Sequence, residues 1–270
     1  MLAAATFAVG LSGCGDEPTD AGSQSAPPET QVRDYGVNDG EGSDDRVVSR
    51  REHPSNLRQR SERSRRPAEQ APLRMGDEGP PVAGLQRRLV GLGYWAGPPS
   101  DVFGPLIEQA VLAFQGVAGL ERDGVVGPKT RSALEDASPP RPRTRKGDAI
   151  EIDEDHGVVL VINEGDLSWV FHTSTGTDES YRHRNGHVYA ANTPDGRWKI
   201  IYEYTDGWHK SPLGRLWRPK YFHRSGIAIH GFASVPPYPA SHGCARVSIE
   251  AMNFIWRQGL ASMGSAVWVY

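Results

Sequence analysis

Cysteine is nearly absent from this chain: Cys14 and Cys244 are the only two among 270 residues. That scarcity excludes a disulfide-stapled scaffold and any four-thiolate zinc site. Apolar residues are also sparse, at 37%, below the roughly 45–50% usual for globular chains. The apolar start, Met1 to Leu11, is too short for the ~20 residues that span a bilayer. Charge of one sign is missing as well. With 33 acids against 30 Lys and Arg the formal net charge is −3, which offers no basic field for nucleic acid. What is plentiful is Gly (31) and Pro (21), so part of the chain is not packed core. The length then fits two modest domains, or one with long unstructured flanks.

The first stretch reads as the apolar region of an export signal, ending in Leu11-Ser12-Gly13-Cys14. No Lys or Arg precedes Cys14, as one would in a secretory signal; a disordered apolar start with an incidental Cys is the alternative. Leu-Ser-Gly-Cys resembles the lipobox of bacterial lipoproteins. The resemblance implies that residues 1–14 are a lipoprotein signal and that Cys14 carries a diacylglyceryl group, anchoring the chain to the membrane. Residues 15–73 have no apolar periodicity. An acidic part (Asp34, Asp39, Glu41, Asp44, Asp45) precedes a basic one (Arg58, Arg60, Arg63, Arg65, Arg66). Such a segment buries too little to offset its ordering entropy, so a disordered tether is expected.

Helical periodicity starts next, over residues 74–137. Val82, Leu85, Leu89 and Leu92 share one helix face that Gly91 and Gly93 close, and Ile107, Ala110, Val111 and Phe114 repeat the pattern. A third helix is predicted near Lys129. Val102-Phe103-Gly104-Pro105 recurs 23 residues on as Val125-Val126-Gly127-Pro128. In each copy Gly makes the turn and Pro takes the first helical position, where its missing N–H costs nothing. The region resembles the peptidoglycan-binding domain 1 family, a small three-helix module, through Val82-x-x-Leu85-Gln86-x-x-Leu89-x-x-Leu92-Gly93-Tyr94, Ala113-Phe114-Gln115 and Asp123-Gly124-Val125-Val126-Gly127-Pro128-x-Thr130. The leucines and Phe114 are core positions and say nothing of a ligand; wall binding is implied by the resemblance alone.

Residues 138–147 are rich in Pro and Arg and are expected to form an extended, charged hinge. Beyond them the period shortens. Ile150, Ile152, Val158 to Ile162 and Leu167 to Phe171 are strand-like runs separated by turn-forming Asp155-His156-Gly157 and Asn163-Glu164-Gly165-Asp166. Further strands are predicted over Trp198–Tyr204, Gly226–Ile229 and Val267–Tyr270, and a helix capped by Ser248 that places Ile249, Met252, Ile255 and Trp256 on one face. The fold class is therefore multidomain: a three-helix all-α module, then a mostly-β domain over residues 148–270 with one or more short helices.

Reactive side chains concentrate in one place, Ile229-His230-Gly231 followed by Ser241-His242-Gly243-Cys244-Ala245-Arg246. A thiol becomes a nucleophile only when a base or a positive charge helps it ionise. Here two His and an Arg lie close in sequence, and His230 ends a strand that holds it rigidly. Gly243 permits an unusual backbone angle beside the thiol. Amides around Gly243 and Cys244 are placed to face an oxyanion. If Cys14 is acylated, Cys244 has no disulfide partner, and an unpaired thiol in an exported protein asks for a function. A zinc site built on His230, His242 and Cys244 lacks a closed fourth ligand.

Ser241-His242-Gly243-Cys244-x-Arg246 with His230-Gly231 upstream is similar to the signature of the L,D-transpeptidase (YkuD) catalytic domain. Ser174-Thr175-Gly176 and Thr193-Pro194-Asp195-Gly196-Arg197-Trp198 extend the likeness over residues 148–270. The resemblance implies that Cys244 is the acyl-accepting nucleophile, His230 its general base oriented by the Gly231 carbonyl, and the Gly243 and Cys244 amides the oxyanion hole. His242 and Arg246 shape and charge the pocket. Ser241 and Tyr238, with Arg246, are the expected substrate contacts. It further implies a wall enzyme of the cell envelope that needs no metal or organic cofactor, acts on peptidoglycan stem peptides and glycan, forms 3→3 cross-links and is acylated by carbapenems. An L,D-carboxypeptidase, in which water resolves the thioester, and a non-catalytic wall-binding lipoprotein are the alternatives. The 13 residues between His230 and Cys244 require a compact loop, which Val235-Pro236-Pro237-Tyr238-Pro239 suits. His172, His183, His187, His209 and His223 read as surface or groove residues, and Trp208, Trp217 and Tyr221 mainly as core.

Overall fold

The computed structural model describes residues 71–183 and 185–270. The signal stretch with Cys14, and all but the last three residues of the tether, lie outside them. Three helices come first: α1 (Pro80–Gly91), α2 (Pro105–Val117) and α3 (Pro128–Asp136). Each begins on a proline preceded by a glycine that provides no side-chain cap. The repeat is thus the start signal of α2 and α3, set by proline's fixed φ. Gln86 and Gln115 do parallel work inside this module. The amide of Gln86 donates to Ala96 O (3.0 Å) and Pro98 O (2.7 Å) and accepts from Ser100 N. That of Gln115 donates to Asp123 Oδ1, Val125 O and Thr130 Oγ1 and accepts from Gly124 N. Two buried amides therefore satisfy the loops that follow α1 and α2.

The remaining chain forms two main sheets. The first runs β3-β2-β1-β12-β6, from β1 (Ala149–Asp153), β2 (Val158–Asn163), β3 (Asp166–His172), β6 (Gly196–Lys199) and β12 (Ala266–Val269). The second runs β11-β10-β9-β7, from β7 (Tyr202–Glu203), β9 (Gly214–Tyr221), β10 (Ala228–Phe232) and β11 (Ala245–Ser248), with β8 (Trp208–Ser211) on β9. A hairpin of β4 (Ser180–Arg182) and β5 (Val188–Ala190) stands apart. Helix α4 (Ile249–Arg257) is capped by Ser248, whose Oγ accepts from Ala251 N at 3.1 Å. The single strand expected over Trp198–Tyr204 is two strands in different sheets. The chain leaves one sheet at Lys199, buries Ile200 between them, and enters the other at Tyr202.

Alternation decides what each sheet face meets. Ile150, Ile152, Val159, Val161, Phe171, Val267 and Val269 point inward and pack with Ile229, Ala245 and Val247 of the second sheet and Met252 and Ile255 of α4. The opposite face of the first sheet is also apolar in part. Val158, Leu160, Ile162 and Val170 join Val82, Leu89, Phe103, Ile107, Val111 and Phe114 in one continuous core with the helices. Backbone pairing extends the contact, since Trp95 N donates to Val170 O (3.0 Å) and Val170 N to Gly93 O (2.8 Å).

Residues 138–147 form neither helix nor strand, and they are not a free hinge. The Arg143 and Thr144 amides donate to the carboxylate of Glu151, a fully buried residue on β1, and the Tyr270 hydroxyl donates to it at 2.8 Å. A carboxylate held by three donors is a strong local clamp. Glu151→Ala removes the acceptor and strands two amides. It is expected to lower stability by about 2–3 kcal/mol, read as a shift of the urea midpoint with unchanged slope, and to speed proteolysis within residues 138–147.

Candidate active site

β10 and β11 are parallel neighbours, with Ile229 opposite Ala245 and His230 opposite Arg246. Ile229, Ala245 and Val247 face the core, so the alternate residues His230, Cys244 and Arg246 share the other face, alongside Ala228. Cys244 is half-buried and packs with Leu216, Tyr221 and Ala228. Its thiol lies 3.9 Å from Gly226 O. His230 is 1% exposed, and its Nδ1 is 2.9 Å from the Gly231 carbonyl oxygen. A carbonyl only accepts, so Nδ1 carries the proton and Nε2 presents a lone pair.

Burial governs the ionisation of both groups. It pushes His230 down to about 4, with the Arg246 charge adding to the shift and the Gly231 bond opposing it. It also pushes the Cys244 thiol up, against the Ala228 backbone and the charge of Arg246. Both the thiol and the imidazole therefore rest neutral, rather than as a preformed thiolate–imidazolium pair. Arg246 stands 4.4 Å over the Phe232 ring, with its Nε buried and unpaired.

The turn before Cys244 departs from expectation in two ways. Gly243 has the unusual angle, φ +122, and a Cβ there would meet Asn192 O at 2.6 Å and Ile227 Cδ1 at 2.7 Å. Only glycine fits. Its amide, however, is not open to an oxyanion, because it donates to Ser241 Oγ at 3.0 Å. Ser241 in turn is 3% exposed and donates to Cys244 O at 2.7 Å. Ser241 is thus a clamp on the turn rather than a substrate contact, and the Cys244 amide is left as the remaining donor beside the thiol. His242 is exposed and meets the Tyr181 ring edge-on at 4.5 Å. That contact brings the β4–β5 hairpin to the thiol's surroundings. Tyr238 projects outward, 62% exposed.

The loop between the reactive strands is held by its carbonyls. Three prolines leave it few amides to donate, and side chains from elsewhere take up its oxygens. Gln109 Nε2 of α2 donates to Val235 O (3.3 Å), His172 Nε2 to Pro236 O (3.1 Å) and Ser174 Oγ to Tyr238 O (2.8 Å). His172, read from the sequence as a surface or groove residue, is 3% exposed and shifted to about 4 by burial. Beneath the turn, Thr175 O accepts from both Ala240 N and Ser241 N, and Thr193 Oγ1 accepts from Gly176 N. Burial raises the Glu154 carboxyl to about 7, against the opposing effect of the Thr175 and Thr193 hydroxyls. Gln109 and Glu154 were missed, and His172 was placed at the surface or groove, because each acts from a distant element. Ser174-Thr175-Gly176 was the one local signal. Of the aromatics read mainly as core, Tyr221 is buried, Trp217 half-buried and Trp208 37% exposed.

Cys244 and His230 thus share one face of the second sheet, with His230 Nε2 left unprotonated, an arrangement suited to acyl transfer through a cysteine. Comparison with known proteins narrows the class. Residues 78–134 match the putative peptidoglycan binding domain model, and residues 147–269 the L,D-transpeptidase catalytic domain (YkuD) model. The chain is 44% identical to an L,D-transpeptidase from Xylanimonas cellulosilytica, over 73% of its own length and 97% of that chain, with TM-score 0.70. An L,D-transpeptidase from Stackebrandtia nassauensis is 20% identical over 73% and 94%, TM-score 0.42. One from Mycobacterium smegmatis is 16% identical over 46% and 58%, TM-score 0.36. No match is found among curated proteins. The protein belongs to the L,D-transpeptidase family, with a helical peptidoglycan-binding module preceding its mostly-β catalytic domain. It is a peptidoglycan L,D-transpeptidase, and peptidoglycan is its partner. No helix among the described residues is long and apolar enough to cross a membrane.

Proposed function

We propose that the protein forms 3→3 cross-links by acyl transfer through Cys244. Cys244 Sγ attacks the carbonyl of the third, diaminopimelate residue of a tetrapeptide stem while His230 Nε2 takes the thiol proton. The tetrahedral intermediate collapses as His230 returns that proton to the departing D-alanine amine, leaving a thioester. A side-chain amine from a neighbouring stem then attacks the thioester. His230 accepts its proton and passes it to the departing sulfur. The Cys244 amide meets the oxyanion, and Arg246 offers a positive charge beside the sulfur. The observation that carries this reading is the β10–β11 register, which sets His230 and Cys244 on one face while the Gly231 carbonyl keeps Nε2 free. Residues 74–137 hold the glycan or stems, diacylglyceryl on Cys14 anchors the chain to the outer face of the membrane, and carbapenems acylate the same sulfur.

The test is incubation with a purified disaccharide-tetrapeptide, followed by mass spectrometry of the products. Dimers that have lost one D-alanine and contain a diaminopimelate-to-diaminopimelate bond are expected. Shortened monomers without dimers would make the protein an L,D-carboxypeptidase, and unchanged substrate a binding protein.

A further inference from the structure

The first sheet's outer face is only half covered by the helices. Its other half, over β12 and β6, is a groove of about 430 Å³ whose floor includes Trp268 and whose walls carry Lys146, Arg197 and Lys199. Register explains the grouping, since Ala266 pairs with Lys199 and Trp268 with Arg197. The clamp on Glu151 brings residues 143–146 down along the opposite rim. There Arg143 lies 3.3 Å over the Tyr270 ring and 5.6 Å from that of Trp268, while Arg197 stands 4.0 Å over Trp268.

Stacking fixes a guanidinium plane without consuming its N–H donors, which stay directed outward in the plane. Arg143, Lys146, Arg197 and Lys199 are all exposed. Among the described residues none of the four makes an ion pair, and none of their side chains donates to a protein acceptor. The one acid of the groove, Asp148, is already engaged by Glu164 N at 2.9 Å. Three cations lining the groove and Arg143 on its rim, against the carboxylates of Asp148 and Glu151 that backbone amides already engage, stand on aromatic rings and describe a track for a polymer that has repeated carboxylates and sugar faces. Bare phosphate recognition needs no indole floor. The groove also opens on the sheet face that carries the peptidoglycan-binding module, so one strand of wall can run across both.

We propose that this groove is a second peptidoglycan-binding site, distinct from the acyl-transfer centre, that takes the anionic stem carboxylates and glycan of the polymer. The proposal rests on peptidoglycan being the partner, not on the outcome of the cross-linking reaction. Held there, the enzyme stays on polymer between turnovers, and the attraction is electrostatic and falls with salt.

The experiment is co-sedimentation of the full chain with purified sacculi stripped of attached phosphate polymers, at 50 and 300 mM NaCl. The Arg197→Glu/Lys199→Glu variant is expected to bind at least fivefold more weakly at low salt and to lose most of the salt dependence. Lys146→Gln/Lys199→Gln should show a smaller drop in the same direction. Lys210→Glu/Arg215→Glu, a reversal on the β8–β9 hairpin, should bind like the parent. Turnover of a soluble disaccharide-tetrapeptide should be unchanged in all three, which separates this proposal from failure of the acyl-transfer reading. Amidating the carboxylates of the sacculi should weaken the parent as much as the Glu substitutions do. Equal binding of parent and Arg197→Glu/Lys199→Glu overturns the site. So does an equal loss in the Lys210→Glu/Arg215→Glu control, while binding that survives amidation, or that vanishes once phosphate polymers are stripped, overturns the carboxylate chemistry.

Discussion

Cys244→Ala is expected to abolish turnover, by roughly 10⁴-fold or more, and to abolish the mass increment of a carbapenem adduct. The residue is half-buried and its thiol's one hydrogen-bond contact, to Gly226 O, is long, so removing one sulfur atom should change stability by less than about 1 kcal/mol. The Ser241 clamp keeps the turn in place, because it engages the Gly243 amide and the Cys244 carbonyl rather than the thiol. Chemistry and folding are therefore separable at this position. Intact-mass spectra of parent and variant after carbapenem treatment, with a thermal melt of each, make the check. An adduct of the same mass on Cys244→Ala would place the nucleophile elsewhere and end the assignment. A melt lowered by more than a few degrees would mean that the sulfur is a packing element, and the loss of activity would then not identify it as the reacting atom.

Much of this was legible in the sequence because the signals are local. Proline after glycine set the starts of α2 and α3, the i, i+3, i+7 leucines gave a helix face, and Ser248 announced α4. Ser-His-Gly-Cys marked the reactive turn for a similar reason, as its Gly243 angle and its Ser241 bonds close within four residues. What was not legible depends on pairing between remote segments. Gln109 lies 126 residues from the carbonyl it holds, His172 lies 64 from Pro236, and Glu151 reaches back to 143 and forward to 270. Composition alone made residues 138–147 a hinge, since it shows charge and proline but not the buried acceptor that ties them down. The same blindness made Ser241 a substrate contact and left the Gly243 amide open. Whether a donor is free is a property of its three-dimensional neighbours. The break of Trp198–Tyr204 into two sheets belongs here too, because an unbroken apolar-aromatic run looks the same whether or not it changes sheet.

His230 should set the pH dependence of acylation in a way that separates two mechanisms. Burial holds its imidazole at about 4 and lifts the Cys244 thiol. A base with that value is unprotonated above pH 5, so the acylation rate in single turnover should climb as pH rises through about 4 and then stay flat to pH 8. Reading acylation alone keeps the ionisation of the acceptor amine out of the profile. Iodoacetamide requires thiolate, so alkylation of Cys244 should be slow at pH 6–7 and rise only in the alkaline range. A resting ion pair would behave otherwise, since its thiolate would be alkylated at a constant fast rate from pH 6 upward. That result would overturn the neutral pair, even with catalysis intact. His230→Ala should then slow acylation by about 10²–10⁴-fold while leaving the alkaline alkylation limb in place, because the thiol is raised mainly by its own burial and the base acts only as the sulfur attacks. If the variant instead shifted the alkylation profile by more than a pH unit, the imidazole would be setting the resting charge of the sulfur, and proton transfer would precede attack rather than accompany it.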